Sequence, residues 1–206
     1  MKRVLTAGAA VALVVAGAAA CTSGDGDTSA GACKGGTYAW SDVRKKPTLT
    51  GLAKPVTFKK ARSHYTASIT PLPGARHKVT FTSEETGPRA KSALESLRRH
   101  IKSEGKLASL GEEIGDSGVG HESADGGLVG AYYAWSSADL VEADFSYRCE
   151  GAEPVRGHVL TWSVEGTGFL PCADRQEDDD VDDVARKAAL ERCPEGSPAA
   201  KEPKTT

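Results

Sequence analysis

Alternating apolar and polar residues predict strands over most of the chain between residues 35 and 172. The clearest alternation covers residues 141–149, where Val141, Ala143, Phe145, Tyr147 and Cys149 are separated by polar residues. A period of two residues is typical of a half-buried strand. The other predicted strands are 35–43, 56–58, 65–70, 77–83, 128–135, 158–164 and 168–172.

We expect the last two of these strands to form a β-hairpin. Glu165, Gly166 and Thr167 separate them, and a short segment with a glycine suits a hairpin turn.

Apolar residues at three- and four-residue spacing predict two helices. The first covers about residues 88–104, since Pro88 suits the first turn of a helix and Gly105 suits its end. The second covers residues 178–192, with acidic residues at its start and basic residues near its end, as the helix dipole favours. This order of elements predicts an α+β fold, with a mostly antiparallel sheet of about six strands, two helices and stabilising disulfides.

Two segments are predicted to lack regular structure. Residues 111–127 are rich in glycine and acidic residues, and flexible loops of this kind often carry binding sites. We take His121, Glu122 and Asp125 as candidate binding residues there, although the pattern favours the alternative of a solvated loop without a site. Residues 194–206 hold three prolines and no large apolar residue, which predicts a disordered tail after a single domain over 33–193.

The first 20 residues have the pattern of a cleavable secretory signal. Lys2 and Arg3 precede an uncharged apolar stretch over residues 4–20, which is shorter than the roughly 20 apolar residues that cross a bilayer as a helix. Small residues, Ala18 to Ala20, then precede Cys21 and suit a peptidase site. An uncleaved signal that acts as a transmembrane anchor is the alternative.

A cysteine directly after this site resembles the bacterial lipobox, in which the thiol is acylated before cleavage. Ala18 stands where that motif usually has leucine or another larger aliphatic residue, and Ala-x-Ala would also suit ordinary signal peptidase. Residues 1 to about 32 are similar to the small uncharacterised lipoproteins of high-GC Gram-positive bacteria. The resemblance implies an acylated Cys21 that anchors the protein to the extracytoplasmic face of the cell membrane. Residues 22–32, small and polar, then form a flexible tether.

The chain has five cysteines, and an odd number in an exported protein needs an explanation. Acylation of Cys21 leaves four, which can form two disulfides outside the cytoplasm. Free thiols or a metal site are the alternative, but the closely spaced cysteine pairs of zinc sites are absent. The predicted helix 178–192 would carry Cys193 away from Cys172. We therefore predict the pairs Cys149–Cys172 and Cys33–Cys193.

Charge and composition narrow the classes of partner. The formal net charge is −2 and no block of basic residues occurs, so nucleic acid is not expected as a partner. We expect the membrane, through the lipid on Cys21, together with an envelope protein or a small ligand. No cofactor and no metal ion is expected.

Catalytic motifs are missing from the sequence: no G-x-S-x-G elbow occurs, and no histidine belongs to a recognisable motif. This favours a binding or interaction module of the cell envelope over an enzyme. An envelope hydrolase is the alternative, and it requires at least two of His64, His77, His121 and His158 to converge with carboxylates in one cleft. A transporter's solute-binding subunit is a third hypothesis, but such proteins need two lobes and this chain is short for them.

Aromatic residues on the predicted strands are expected to pack in the core, where aromatics are favoured. A binding face becomes the better interpretation only if several of them are exposed together. They are Trp40, Tyr132, Tyr133, Trp135 and Trp162.

Overall fold

A computed structural model describes residues 36–123, 127–174 and 183–201 of the chain. These residues form a mostly antiparallel sheet with two helices, which confirms the predicted α+β class. The strands are β1 Thr37–Ala53, β2 Val56–Arg62, β3 His64–Pro71, β4 Thr80–Ser83, β5 Ser117–Glu122, β6 Leu128–Arg148 and β7 Val155–Pro171. The helices are α1 Ala90–His100 and α2 Asp183–Arg192, and a short 3₁₀ helix covers Pro198–Ala200.

Strand β6 is the centre of the sheet. The strand order is β4-β7-β6-β1-β3-β5, and every pairing is antiparallel. One edge of β6 pairs with β7, while the other edge pairs first with β1 and then with β2. Tyr38 of β1 lies opposite Tyr147, and Val56 of β2 lies opposite Tyr132, so β2 continues the line of β1.

The predicted hairpin at residues 165–167 is wrong, because β7 runs straight through them. Glu165 lies opposite Ala138 in a ladder that joins β6 and β7. The turn residues sit beside an irregularity in that ladder, where the register shifts between Ala138 and Leu140 of β6. The irregularity falls at residues 163–164 of β7, whereas 165–167 pair in register with 136–138 of β6, so this pairing overrides the local turn preference.

The predicted gap between strands 128–135 and 141–149 is absent for a related reason. Both belong to β6, whose 21 residues continue through Ser136 and Ser137. The hydroxyl of Thr50 on β1 donates a 3.0 Å hydrogen bond to Ser136 Oγ, so these buried polar side chains satisfy each other. Trp135 and Ser136 are both buried in this middle part of β6.

Within the described ranges, three apolar clusters hold the sheet and helices together. One lies under α1 and includes Leu97, Val141 and Phe145. The second lies under α2 and contains Tyr133 and Trp135. The third is centred on Ala53, Ala67, Ile69 and Ala134 of strands β1, β3 and β6. Tyr133 and Ala134 enter different clusters because successive side chains of a strand point to opposite faces.

Helix α1 is fixed to β1 by polar contacts as well as by its leucines. Trp40 Nε1 donates to Ser96 Oγ at 3.1 Å, and the backbone N–H of Arg89 donates to the Tyr38 hydroxyl at 3.1 Å. That N–H lies at the start of the helix, where no intrahelical acceptor exists. Burial raises the pKa of Tyr38, while its hydrogen bonds with Ser92 and with the backbone of Arg89 act in the opposite direction.

The disulfide pairing differs from the prediction. Cys172 is bonded to Cys193, with their Cα atoms 5.6 Å apart, so both predicted pairs are wrong. Helix α2 packs across β1 and β6, and its end thereby returns to the end of β7. Cys149 also takes part in a disulfide, and its partner lies outside the described residues, as do Cys21 and Cys33.

The predicted disordered tail is corrected over residues 194–201. Pro198–Ala200 forms the 3₁₀ helix, and Ala199 is buried in the cluster under α2. The backbone N–H of Ala199 donates to the carbonyl oxygen of Cys172 at 3.2 Å. A small apolar side chain and a backbone hydrogen bond therefore hold this segment against the domain. The prediction of disorder considered only large apolar residues, so it missed this contact.

Candidate functional site

The candidate binding residues of the glycine-rich segment lie on a strand. His121 and Glu122 belong to β5, opposite Tyr65 and His64 of β3, and Asp125 lies outside the described residues. The predicted loop over 111–127 is therefore wrong for residues 117–122. Glycine has no side chain, so Gly118 and Gly120 interrupt the alternation of apolar and polar residues by which a strand is predicted. Pairing with β3 stabilises β5 instead.

His121 lies at the border of a cluster of half-buried aromatic rings. Its ring centroid is 5.1 Å from that of Phe169 on β7, and Phe169 stacks on Tyr132 at 4.9 Å. Phe58 and Tyr65 complete the cluster. These contacts join five strands, so the first role of His121 is to pack β5 against the end of β7.

The other histidines do not converge. Of the four histidines named for the hydrolase alternative, His158 is the one in contact with a carboxylate among the described residues: its Nδ1 lies 2.7 Å from Asp144 Oδ1. The pair lies in an open cleft of about 700 Å³ that Ser41, Ser83 and Ser146 also line. In the described chain no serine is hydrogen-bonded to His158, so the cleft lacks the contact that activates a nucleophile.

The aromatic residues of the sequence analysis do not form one face. Tyr133, Trp135 and Trp162 are buried, as predicted for core residues. Trp40 and Tyr132 are half-buried, but Trp40 packs with the cluster under α1 and Tyr132 with the rings around Phe169. They therefore provide no shared aromatic surface for a ligand.

A groove runs between α1 and the segment that follows it. Its volume is about 710 Å³, within the range of ligand-binding sites, and it is open to solvent. Leu94, Leu107 and Leu110 form its apolar part. Leu94 and Leu107 are anchored in the core, whereas Leu110 is 52% exposed and makes apolar surface available to a partner.

Charged side chains surround these leucines. Four are basic and two acidic, and within the described ranges none of them forms a salt bridge. An excess of positive charge at this place contrasts with the negative formal charge of the chain. The six residues are Lys91, Glu95, Arg98, Arg99, Glu104 and Lys106. We call the leucines and these charged residues together the α1 groove.

None of these charged residues was singled out from the sequence as part of a site. Lys91, Glu95 and Arg98 recur at four- and three-residue spacing, so one side of α1 carries them. The segment 104–110 that faces them is irregular, and its position against α1 follows from tertiary contacts. Ala108 N–H donates to the carbonyl oxygen of Trp162, which fixes that segment to β7.

Comparison of the chain with protein families, curated proteins and solved structures finds no match. Helices long and apolar enough to cross a bilayer are absent from the described ranges. Over the same ranges, no group of three or more histidine, cysteine, aspartate or glutamate side chains is placed to hold a metal ion.

Proposed function

We propose that the protein is an extracytoplasmic lipoprotein, held at the cell membrane by an acylated Cys21, and that its domain binds an envelope partner in the α1 groove. The observation that carries the binding role is the exposed Leu110 among unpaired charges in a groove of ligand-binding size. Lipobox-like residues at Ala18 to Cys21 support the anchor.

The chemistry of the α1 groove favours a protein segment as the occupant. Leu94, Leu107 and Leu110 suit an apolar anchor side chain of the partner. The four cations favour acidic residues beside that anchor, while Glu95 and Glu104 fix its orientation and exclude a uniformly acidic surface. A partner segment with an apolar residue between acidic ones matches this pattern.

Photo-crosslinking in the membrane-anchored protein tests the proposal. A photoreactive residue at position 110 is expected to give a discrete adduct with an envelope protein. Position 190 is the matched control, because Leu190 is 47% exposed on α2, away from the groove. Arg98→Glu combined with Lys106→Glu is expected to reduce the adduct at position 110, since it reverses the charge that attracts the partner.

Equal adducts at positions 110 and 190, or an adduct that survives the charge reversal, would show that the α1 groove is not the binding surface. Partner peptides identified from the adduct then provide a second check. Synthetic versions should bind the purified protein, and neutral variants of their acidic residues should bind more weakly.

An envelope hydrolase is the second candidate function, favoured by the 2.7 Å contact between His158 and Asp144 in an open cleft with three serines. If the purified protein hydrolyses envelope esters or peptides, His158→Gln is expected to abolish the activity because it removes the base. His64→Gln is the control, since His64 lies on β3 and contacts Thr66. Hydrolysis unaffected by His158→Gln would exclude this cleft as its site.

A further inference from the structure

We infer a second binding site, for a phosphoryl group, in a cavity of about 530 Å³ between β3 and the end of α2. Two cations, Lys54 and Arg192, line it together with three aliphatic hydroxyl side chains, Thr66, Ser68 and Thr70. It shares no lining residue with the α1 groove, so it goes beyond the proposed function.

The environment of Arg192 is the observation that points to a ligand. Its Nε is buried and has no hydrogen-bond partner among the described residues. Nor do these residues include a carboxylate in salt-bridge contact with Arg192 or Lys54. The side chain of Arg192 is half-buried, so a positive charge without a counter-charge is costly there, and an anion in the cavity would balance it.

The fold holds these side chains in place from three directions. Arg192 is the last residue of α2, next to Cys193, whose disulfide to Cys172 ties the helix end to the end of β7. Lys54 lies in the two-residue link between β1 and β2. The three hydroxyl residues of β3 alternate with the buried Ala67 and Ile69, so they lie on the opposite face of that strand.

Charge and geometry favour a phosphoryl group as the ligand. Among the described residues no acidic side chain lines the cavity, so none of them repels or replaces an anion. A guanidinium donates two parallel hydrogen bonds to a phosphate, and an ammonium adds a point charge. The hydroxyls of Ser68 and Thr70 bring further donors, whereas Thr66 already contacts His64 Nε2 at 3.2 Å. Donors from several directions suit the tetrahedrally arranged oxygens of a phosphoryl group better than the coplanar pair of a carboxylate.

Calorimetric titration of the purified full mature chain with inorganic phosphate at low salt tests the site. We expect saturable binding that Arg192→Gln weakens roughly tenfold or more, since it removes a charged hydrogen-bond donor. Lys187→Gln is the matched control, because Lys187 is an exposed cation of the same helix. It should bind phosphate like the parent protein.

Two further variants keep the test valid if Arg192→Gln fails to fold. Ser68→Ala removes a hydroxyl without changing the charge, and Lys54→Gln removes the second cation; both should weaken phosphate binding. Lys59→Gln on β2 is the control for Lys54, and it should have no effect. Circular dichroism establishes that each variant is folded before titration.

Vesicles distinguish the two sources of the phosphoryl group. With Cys21→Ser to remove the lipid tether, a headgroup ligand predicts binding to phosphatidylglycerol vesicles but not to phosphate-free glycolipid vesicles, with displacement by inorganic phosphate. A soluble ligand predicts binding of free phosphate alone, and either result supports the site. Absence of binding to phosphate and vesicles, equal weakening by Lys187→Gln, or equally tight binding of acetate would overturn the inference.

Discussion

Tyr133 shows how strand alternation buries a polar group that the helix above it does not satisfy. The side chain is 1% exposed in the cluster under α2, and its hydroxyl makes no hydrogen bond within the described chain. Burial raises its pKa to about 12, because the ionised form would lose its hydration. The aromatic ring stabilises the core, while burial of the hydroxyl lowers the free energy of unfolding.

Tyr133→Phe is therefore expected to leave the free energy of unfolding at pH 7 unchanged or to raise it by about 1 kcal/mol. The folded pKa of about 12 lies above the ordinary value of 10.0, so the folded protein holds this proton more tightly than the unfolded chain. The stability of the parent protein should consequently fall as pH rises from 10 to 12, by about 2–3 kcal/mol from this group. Denaturant unfolding of both proteins at pH 7 and pH 11 measures the difference.

The variant lacks this ionisation, so its advantage over the parent protein should grow with pH. Parallel pH profiles for the two proteins would show that Tyr133 does not stay protonated because of burial.

Gly168 on β7 is required by the ring of Trp135, which lies directly across on β6. A Cβ atom at this position would overlap the indole ring. Gly168→Ala is expected to lower the free energy of unfolding by about 1–3 kcal/mol, since overpacking forces neighbours to shift. Thermal unfolding of the variant measures the loss.

Gly166→Ala on the same strand is the control. There a Cβ meets Ser137 Oγ at an ordinary van der Waals distance of 3.4 Å, so little change is expected. If both variants lost the same stability, the cause would be the backbone of β7 and not the ring of Trp135.

At the scale of elements, the position of the end of α2 depends on the Cys172–Cys193 disulfide, because the apolar face of the helix is small. Helix α2 buries mostly small side chains, which are those of Val184, Ala185, Ala188 and Ala189. Small side chains give limited hydrophobic stabilisation. The Cys172–Cys193 bridge, with a sequence separation of 21, holds the helix where these contacts form.

Replacing both cysteines of this bridge by serine is expected to lower the free energy of unfolding by about 2–4 kcal/mol, because the unfolded chain gains freedom. Amide exchange should also increase in α2 more than in β6. Peptide mapping of the parent protein under non-reducing conditions provides the control, since it should yield residues 172 and 193 in one linked pair. A linked pair of residues 149 and 172 would contradict the pairing.

The sequence predicted some of the helices and strands correctly and missed others. Strong periodicity correctly predicted the presence of both helices and most of the strands. Helix α1 ends at His100, before the predicted residue 104, and residues 178–182 of the second predicted helix lie outside the described residues. It failed for β5, which carries two glycines, and for residues 165–167 of β7, whose turn preference is overridden by pairing with β6. In each failure the stabilising partner is distant in sequence, so no local window contains it.

At the scale of the whole molecule, the proposed anchor decides where the domain works. An acylated Cys21 would attach it to the membrane through the segment that precedes β1. Each buried methylene of an acyl chain contributes about 0.8 kcal/mol, so two or three chains bind firmly. The described domain then needs no membrane-spanning element of its own.

Cys21→Ser is expected to release the protein from the membrane fraction, because serine cannot carry the thioether-linked lipid. Fractionation of cells followed by immunoblotting measures the distribution. A Ser23→Ala variant serves as the control and should remain with the membrane. Sedimentation of Cys21→Ser together with membranes, as for the parent protein, would contradict the anchor.

By itself, the sequence determined the amphipathic stripes of the helices, the alternation of the strands and the antiparallel α+β class, because neighbouring residues carry that information. The tertiary structure alone decided the Cys172–Cys193 pair, the α1 groove and the cavity around Arg192. The cavity joins β3 to the end of α2, which are remote along the chain, whereas the disulfide and the α1 groove depend on where tertiary contacts place segments that lie closer in sequence. Their positions depend on which strands pair and on where α2 packs. Residues throughout the fold contribute to the free energy of that packing.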